Sequence, residues 1–154
     1  MNTAGQCYSF WSELMQGVHA LGPGTLTPAR IVGTPDVVKA ALFLASASRG
    51  PGDTTYNTTG ELAASGNYTQ GGVTVTMANA PSVTSAVAHF TPSASFSWTA
   101  FSSSGPFDTC VLYNSSQADR QISVHTFGSQ SIVAGNFSLT MPVDDNLTGL
   151  LRFS

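Results

Sequence analysis

Hydrophobic and polar residues alternate along much of the chain after Val37. The clearest case is the segment 94–100, where Ala, Phe, Trp and Ala alternate with Ser, Ser and Thr. A period of two residues is typical of a strand that buries one face. The same period predicts half-buried strands in three further segments, at 73–77, 122–127 and 137–141.

Other segments are apolar without alternation. The segment 37–45 is almost continuously apolar, which predicts a central strand covered on both faces. Apolar segments at 87–90, 109–113 and 150–153, with a short strand inside 60–72, bring the predicted total to about eight strands separated by turn residues. No helix alternates with these strands, which excludes parallel α/β folds. The predicted fold class is therefore mainly β, an antiparallel β-sandwich that is jelly-roll-like, with one N-terminal α-helix.

A helix is predicted before the first strand. Its apolar residues recur at helical spacing and form one stripe: Cys7, Phe10, Trp11, Leu14, Met15, Val18 and Leu21. Thr3 and Gln6 match a capping box at its start, and Gly22-Pro23-Gly24 is expected to end it. The stripe either docks on the domain's own core or lies partly against a partner.

The chain is expected to divide into three parts. Residues 1–21 form the N-terminal helix, residues 22–36 form an arm or loop rich in proline and glycine, and residues 37–154 form the β-sandwich domain. Three prolines and three glycines in 22–36 disfavour both a helix and a central strand there. An arm that embraces a neighbouring subunit and a simple surface loop are both compatible with this composition.

Charged residues are scarce. They make up 8% of the 154 residues, against about 25% in typical soluble proteins. Because charge normally keeps a monomer's surface solvated, a nearly uncharged surface rich in hydroxyl groups is compatible with extensive contact to neighbours, or with a weakly charged secreted domain. The net charge is −3, and Lys39 is the only lysine, which argues against binding nucleic acid through its phosphates.

The sequence contains no motif for catalysis or metal binding. Asp144-Asp145 has the surroundings of a turn, and His89 and His125 lie in predicted strands without the spacing of zinc ligands. The nucleophile motif Gly-Xaa-Ser-Xaa-Gly is absent. We therefore expect no enzymatic activity, no catalytic residues, no cofactor and no metal.

Four isolated residues have open interpretations. Cys7 and Cys110 lie in apolar stretches, which favours buried free thiols over a single disulfide. Glu61 and Arg120 each lie beside turn residues. The open interpretations for each are a structural ion pair, a subunit contact and a solvated charge.

The N-terminal residues lack the pattern of a signal peptide, and no apolar run is long enough to cross a membrane.

Several stretches resemble a group of small structural proteins of tailed bacteriophages. They are Val38–Phe43, Thr58–Leu62, Gly66–Val73, Cys110–Arg120 and Thr126–Gly128, together with Glu13-Leu14 and Gly17-Val18-His19 in the helix region. The resemblance implies a virion component with a jelly-roll-like or related sandwich. It implies capsid decoration or cement as the first role and a tail or fibre-associated role as the second. It transfers no active site.

The expected partners follow from that resemblance. They are the major capsid protein and copies of the chain itself, as a trimer or else a dimer, on the capsid exterior after synthesis in the host cytoplasm. Nucleic acid and membranes are not expected partners. The candidate partner contacts are Phe10 and Trp11 in the helix, Leu26 and Ile31 in the arm, and Tyr56 and Tyr68 in loops.

A carbohydrate-binding β-sandwich is the alternative from a different functional class. Its sugar platforms would be Trp98, Tyr68 or Tyr113. Trp98 alternates with Phe96, which favours burial in the core.

Overall fold

The computed structural model of the chain describes residues 1–22, 34–92 and 95–153. These residues form antiparallel β-strands and one short N-terminal helix, which confirms the predicted fold class. The elements in chain order are β1 (Gly5–Gln6), α1 (Tyr8–Met15), β2 (Val38–Leu44), β3 (Val73–Thr74), β4 (Ser82–Thr84), β5 (Val87–Phe90), β6 (Phe96–Phe101), β7 (Phe107–Asn114), β8 (Arg120–Gln130), β9 (Gly135–Leu139) and β10 (Leu151–Phe153).

The described strands form three antiparallel sheets. The central sheet has the order β1-β8-β7-β2-β3, a second sheet has the order β10-β5-β4, and β6 and β9 form a two-stranded ribbon. Trp98 of β6 stacks on Phe137 of β9 at 5.7 Å between ring centroids, and Phe137 meets Phe107 of β7 edge-on at 4.9 Å. The ribbon therefore covers one face of the central sheet, as the second layer of a sandwich does.

Strands β2 and β7 lie in the middle of the central sheet. The residues from Ala40 to Phe43 are all fully buried. Successive side chains of a strand point to opposite faces, so Ala40 and Leu42 on one face and Ala41 and Phe43 on the other are all covered. On the second of these faces, the ring of Phe43 contacts Tyr56 edge-on at 6.2 Å. This confirms the prediction of a central strand covered on both sides.

The short strands differ from the sequence prediction. Residues 60–72 contain no strand, only bridges between Phe43 and Glu61 and between Ser65 and Tyr68. The strand predicted over 73–77 is limited to Val73–Thr74. Strand β4 was not predicted, because all three of its residues are exposed and no buried face imposed an apolar period.

Helix α1 ends earlier than predicted. Gly17 has a φ of +72°, its N–H donates to the Leu14 carbonyl, and the Val18 N–H donates to the Glu13 carbonyl. This pair of hydrogen bonds is a Schellman motif with glycine in the left-handed position. The prediction that the helix extends to residue 21 was therefore wrong, since α1 ends at Met15. Among the described residues, no helix is long and apolar enough to cross a membrane.

The start of α1 also differs from the prediction. Gly5 and Gln6 pair with Val124 and Ser123 of β8, so they extend the central sheet. The cap position of the helix is Cys7, which makes no side-chain capping bond. The predicted capping box is not formed, because the residues around Gln6 are held in an extended conformation by the sheet.

The two cysteines are free and buried. Cys7 lies beneath α1, where its sulfur receives a hydrogen bond from Gln121 at 3.3 Å. Cys110 lies in the middle of β7. Of the two interpretations that the sequence left open, the structure shows free thiols.

Candidate functional site

Helix α1 presents an apolar stripe to solvent. Tyr8, Trp11 and Met15 are spaced by three and four residues, which places them on one side of the helix. Their exposed fractions are 73%, 43% and 84%. The opposite side of the helix buries Phe10 and Glu13. The stripe predicted from the sequence is therefore divided between a core side and an outer side.

Trp11 is the least exposed member of the outer stripe. Its ring meets the ring of Phe153 in β10 edge-on, at 4.4 Å between centroids and 86° between planes. Phe153 in turn packs against the hydrophobic core. A large aromatic side chain that is already held in place loses little conformational entropy when a partner covers it. Trp11 is thus held in place on the outer side of this helix by Phe153.

A shallow groove of about 630 Å³ continues the stripe. Its lining includes Tyr8 and Trp11 of α1. The rest of the lining comes from β1, β8 and β10 and from residues near them: Ala4, Gly5, Gln6, Pro51, Val124, His125, Gly149, Leu150 and Arg152. Arg152 is the only Lys, Arg, Asp or Glu in this lining. The stripe and the groove together form a weakly charged surface, which we call the α1 surface.

An ion pair with a buried carboxylate attaches α1 to the central sheet. Glu13 is 3% exposed, and its carboxylate accepts hydrogen bonds from Arg120 at 2.5 Å and from His19 Nε2 at 2.8 Å. Arg120 begins β8, and its side chain is 43% exposed. Of the interpretations open for Arg120, the structure shows a structural ion pair within the chain.

The same network continues through Asn114 at the end of β7. Its amide donates one hydrogen to His19 Nδ1 at 2.9 Å and one to Asp36 Oδ2 at 2.7 Å, and its oxygen accepts the Ser116 N–H at 3.1 Å. Both N–H groups and the oxygen of the amide are hydrogen-bonded, which fixes the orientation of the amide. His19 Nδ1 is therefore an acceptor. The network holds α1 and its outer stripe in one orientation on the sheet.

The other predicted partner contacts have different surroundings. Phe10 and Tyr68 are buried in the chain's own core, which corrects the prediction that they contact a partner. Tyr56 is partly buried and stacks on Tyr113 at 4.1 Å and 7°. The two arm positions, Leu26 and Ile31, lie outside the described residues.

Glu61 is the centre of a tyrosine cluster. Its carboxylate accepts hydrogen bonds from the Tyr56 hydroxyl at 2.5 Å, the Tyr68 hydroxyl at 2.7 Å and the Gly71 N–H at 2.8 Å. Burial, followed by the nearby Glu61 carboxylate, raises the pKa of Tyr56 and Tyr68, so both hydroxyls remain donors. Glu61 is 6% exposed, so the expectation of a solvated charge was wrong for this residue.

The sugar platforms proposed from the sequence are buried. Trp98, Tyr68 and Tyr113 are at most 2% exposed. A ring must present a free face to stack on a sugar, and these three rings present none. The carbohydrate alternative therefore loses the residues on which it was based.

The structure brings together one constellation that the sequence did not reveal. His89 Nδ1 lies 3.1 Å from Asp144 Oδ1, and His89 Nε2 lies 3.2 Å from both Ser82 Oγ and Thr84 Oγ1. Carboxylate, imidazole and hydroxyl follow one another as in a hydrolase triad. However, the two exposed hydroxyls are equally distant from the same His89 nitrogen, so neither is singled out as a nucleophile. Acyl transfer would also require N–H donors that converge on an oxyanion. We interpret the group as a cross-strand cluster that fixes the segment around Asp144 to β5.

The predicted turn at Asp144-Asp145 is confirmed. Asp145 Oδ1 accepts the Leu147 N–H at 2.8 Å and the Thr148 N–H at 2.6 Å. These hydrogen bonds lower the pKa of the Asp145 carboxyl. Within the described residues, no group of three or more His, Cys, Asp or Glu side chains could hold a metal ion.

His125 contributes to the acid sensitivity of the fold. His125 is partly buried, and the resulting loss of solvation lowers its pKa from 6.5 to about 4. As the pH falls through that interval, the unfolded chain binds a proton that the folded chain does not, so the free energy of unfolding decreases; above it, His125 has no effect. In His125→Gln, we expect a smaller loss of stability between these pH values, measured by urea denaturation across the interval. An unchanged pH dependence would contradict this assignment.

The fold defines a class of protein, a mainly β antiparallel sandwich with one short helix. A comparison with protein-family models, curated proteins and solved structures found no match to this chain.

Proposed function

We propose that the protein is a structural component of a tailed-phage virion, and that it decorates the capsid by binding across capsomers through the α1 surface. The observation that supports this most is the exposed stripe of Tyr8, Trp11 and Met15 on a helix fixed to the sheet by a buried polar network. The resemblance of the sequence to small phage structural proteins supplies the biological setting.

The size and chemistry of the stripe suit a protein partner. Large side chains of this kind bury about 150–250 Å² each, and because the three are only 43–84% exposed, together they supply a patch on the order of 400 Å². Apolar patches of that size on a monomer are often functional. A charged fraction of 8% means that few charges must be desolvated when a neighbour covers the surface.

The proposed mechanism is stabilisation of the assembled state. A protein that binds the assembled capsid but not its separated subunits shifts the equilibrium toward assembly by mass action. Many copies across capsomer junctions would then oppose the internal pressure of the packaged DNA. Self-association as a trimer or dimer belongs to the same proposal, since subunits at a symmetry axis contact one another.

A tail or fibre-associated role is the second candidate. The same exposed stripe would serve it, because any neighbouring subunit with an apolar patch could cover Trp11. The position of the labelled protein on the particle separates the two roles.

The test uses the double variant Trp11→Ser with Met15→Ser. Interface anchors of this kind contribute about 2 kcal/mol or more, so we expect the variant to bind particles at least about thirtyfold more weakly. Particles assembled with it should release DNA at lower temperature, to the extent seen when the protein is depleted. Binding is measured by co-sedimentation with particles, and DNA release by dye fluorescence during heating.

The control is the double variant Val133→Ser with Val143→Ser. These two residues are 88% and 69% exposed and lie outside α1, so the control removes similar apolar surface elsewhere. Undiminished binding of the α1 variant would overturn the proposed surface. Label confined to the tail in electron micrographs would overturn the capsid role and favour the second candidate.

A further inference from the structure

Arg49 carries a buried positive charge that is only partly matched by its surroundings. The residue is 6% exposed, and its guanidinium carbon lies 4.4 Å from the centre of the Phe43 ring. Within the described residues its side-chain hydrogen bonds all start from Nη2, which donates to the Asn57 carbonyl at 2.9 Å, the Asn57 side-chain oxygen at 2.6 Å and the Thr59 carbonyl at 2.7 Å. These acceptors are neutral.

The nearest carboxylate forms only a long ion pair with Arg49. Asp53 Oδ2 lies 4.0 Å from Nη1, beyond hydrogen-bond distance, and it already accepts the Gly50 N–H at 3.0 Å. The N–H groups on Nε and Nη1 therefore have no acceptor among the described residues. The planar edge of a guanidinium matches the geometry of an oxyanion.

A pocket of about 460 Å³ opens beside this guanidinium. Its lining combines Arg49 with small and hydroxyl-bearing residues and contains no acidic side chain: Ser46, Ala47, Ser48, Asn57, Thr59 and Gly60. Hydroxyl and amide groups can donate further hydrogen bonds to a bound anion. The serines at 46 and 48 are exposed, so a ligand from solvent can reach the pocket.

We propose that this pocket binds one oxyanion group, a carboxylate or a phosphate, through the unused edge of Arg49 and the surrounding hydroxyls. The proposal is independent of the α1 surface and of the virion role. Phe43 lies against the guanidinium, and Asn57 and Thr59 hold its Nη2 edge. The remaining edge is thereby preorganised before the ligand arrives.

The experiment titrates the full chain with sodium phosphate, sodium acetate and sodium chloride at constant ionic strength. The readout is the NMR shift of the Arg49 Nε–H and of the backbone amides lining the pocket. We expect saturable shifts with phosphate or acetate, confined to residues 46–49 and 57–60, and none with chloride. The salt that saturates at lower concentration identifies whether phosphate or carboxylate is the preferred ligand.

Two variants test the assignment without removing Arg49. Ser48→Asp places a carboxylate on the pocket wall, and we expect it to weaken anion binding at least about tenfold by competing for the guanidinium. Asp53→Asn removes the carboxylate at 4.0 Å and should tighten binding. The control is Ser138→Asp, an exposed position in β9, which makes the same charge change elsewhere and should leave binding within about twofold of wild type.

Three outcomes would overturn the proposal. They are the absence of saturable shifts with both anions, shifts of equal size in chloride, and wild-type affinity in Ser48→Asp. None of these outcomes bears on the particle-binding test of the α1 surface, which uses different residues and a different measurement.

Discussion

Replacing Gly72 with alanine is expected to destabilise the fold by about 4 kcal/mol or more, because a methyl group there meets the backbone of the central sheet. Gly72 has a φ of +71°, and an added Cβ would lie 1.9 Å from the Ala40 carbonyl oxygen and 2.5 Å from its carbon. Ala40 belongs to β2, which is paired with β7 along its full length. Neither side of this contact can move without breaking strand pairing.

Gly17→Ala is the matched control for this prediction. Gly17 has nearly the same φ, +72°, but an added Cβ would have nothing within 4 Å. Gly17→Ala should lower the free energy of unfolding only by the cost of holding alanine in the left-handed conformation, about 1 kcal/mol. The free energy of unfolding of both variants is measured by urea denaturation. Equal losses would show that the contact between Gly72 and β2 is not maintained in solution.

Asn114→Asp is expected to lower the free energy of unfolding by about 3 kcal/mol or more. The substitution removes both amide donors, so His19 Nδ1 loses its hydrogen bond. It also places a carboxylate where the amide now lies 2.7 Å from Asp36 Oδ2, so two buried carboxylates would face each other. Both changes act at a residue with no exposed surface.

The loss in Asn114→Asp should depend on pH. Under acidic conditions the introduced carboxyl group is protonated and can again donate one hydrogen bond to Asp36, so the difference from wild type should decrease relative to neutral pH. Asn136→Asp makes the same chemical change at an exposed position in β9 and should cost less than about 0.5 kcal/mol. Both variants are compared with wild type by urea denaturation at acidic and neutral pH. Equally small losses at both positions would contradict the network around Asn114.

The β-structure was predictable wherever burial imposed a pattern. Residues 38–44 are apolar except for Lys39 because both faces of β2 are covered, and Phe96 and Trp98 alternate with polar residues because only one face of β6 is buried. Strand β4 has no buried residue, and the pairing of Gly5–Gln6 involves only two residues. Neither leaves a periodic signal in the sequence.

The limits of the helix prediction have a local cause. The helical period continues through Val18 and Leu21 in the sequence, but Gly17 adopts the left-handed conformation and ends α1. This glycine was a visible signal for an earlier end. The sequence could not show which side of the helix faces the core, because that depends on where the sheet lies. In the structure Phe10 is on the core side and Tyr8 is on the outer side.

The candidate sites depend on contacts between residues distant in sequence. Asn114 meets Asp36 across 78 positions, and His89 meets Asp144 across 55. Sequence spacing carries no signal for such pairs. Arg49 is a different case, since its hydrogen-bond partners are only eight and ten residues away. What the sequence lacked there was any indication that the arginine would be buried.

Because the two thiols are buried, the stability of the fold should not depend on whether the solution is oxidising or reducing. Burial raises the pKa of Cys7 to about 11 and that of Cys110 to about 12, so the thiolate, which is the form that oxidants attack, is rare in the folded chain. No cross-link contributes to stability, and none can be lost by reduction. The folded protein should therefore keep the same covalent structure in a reducing cell interior and in an oxidising medium outside it.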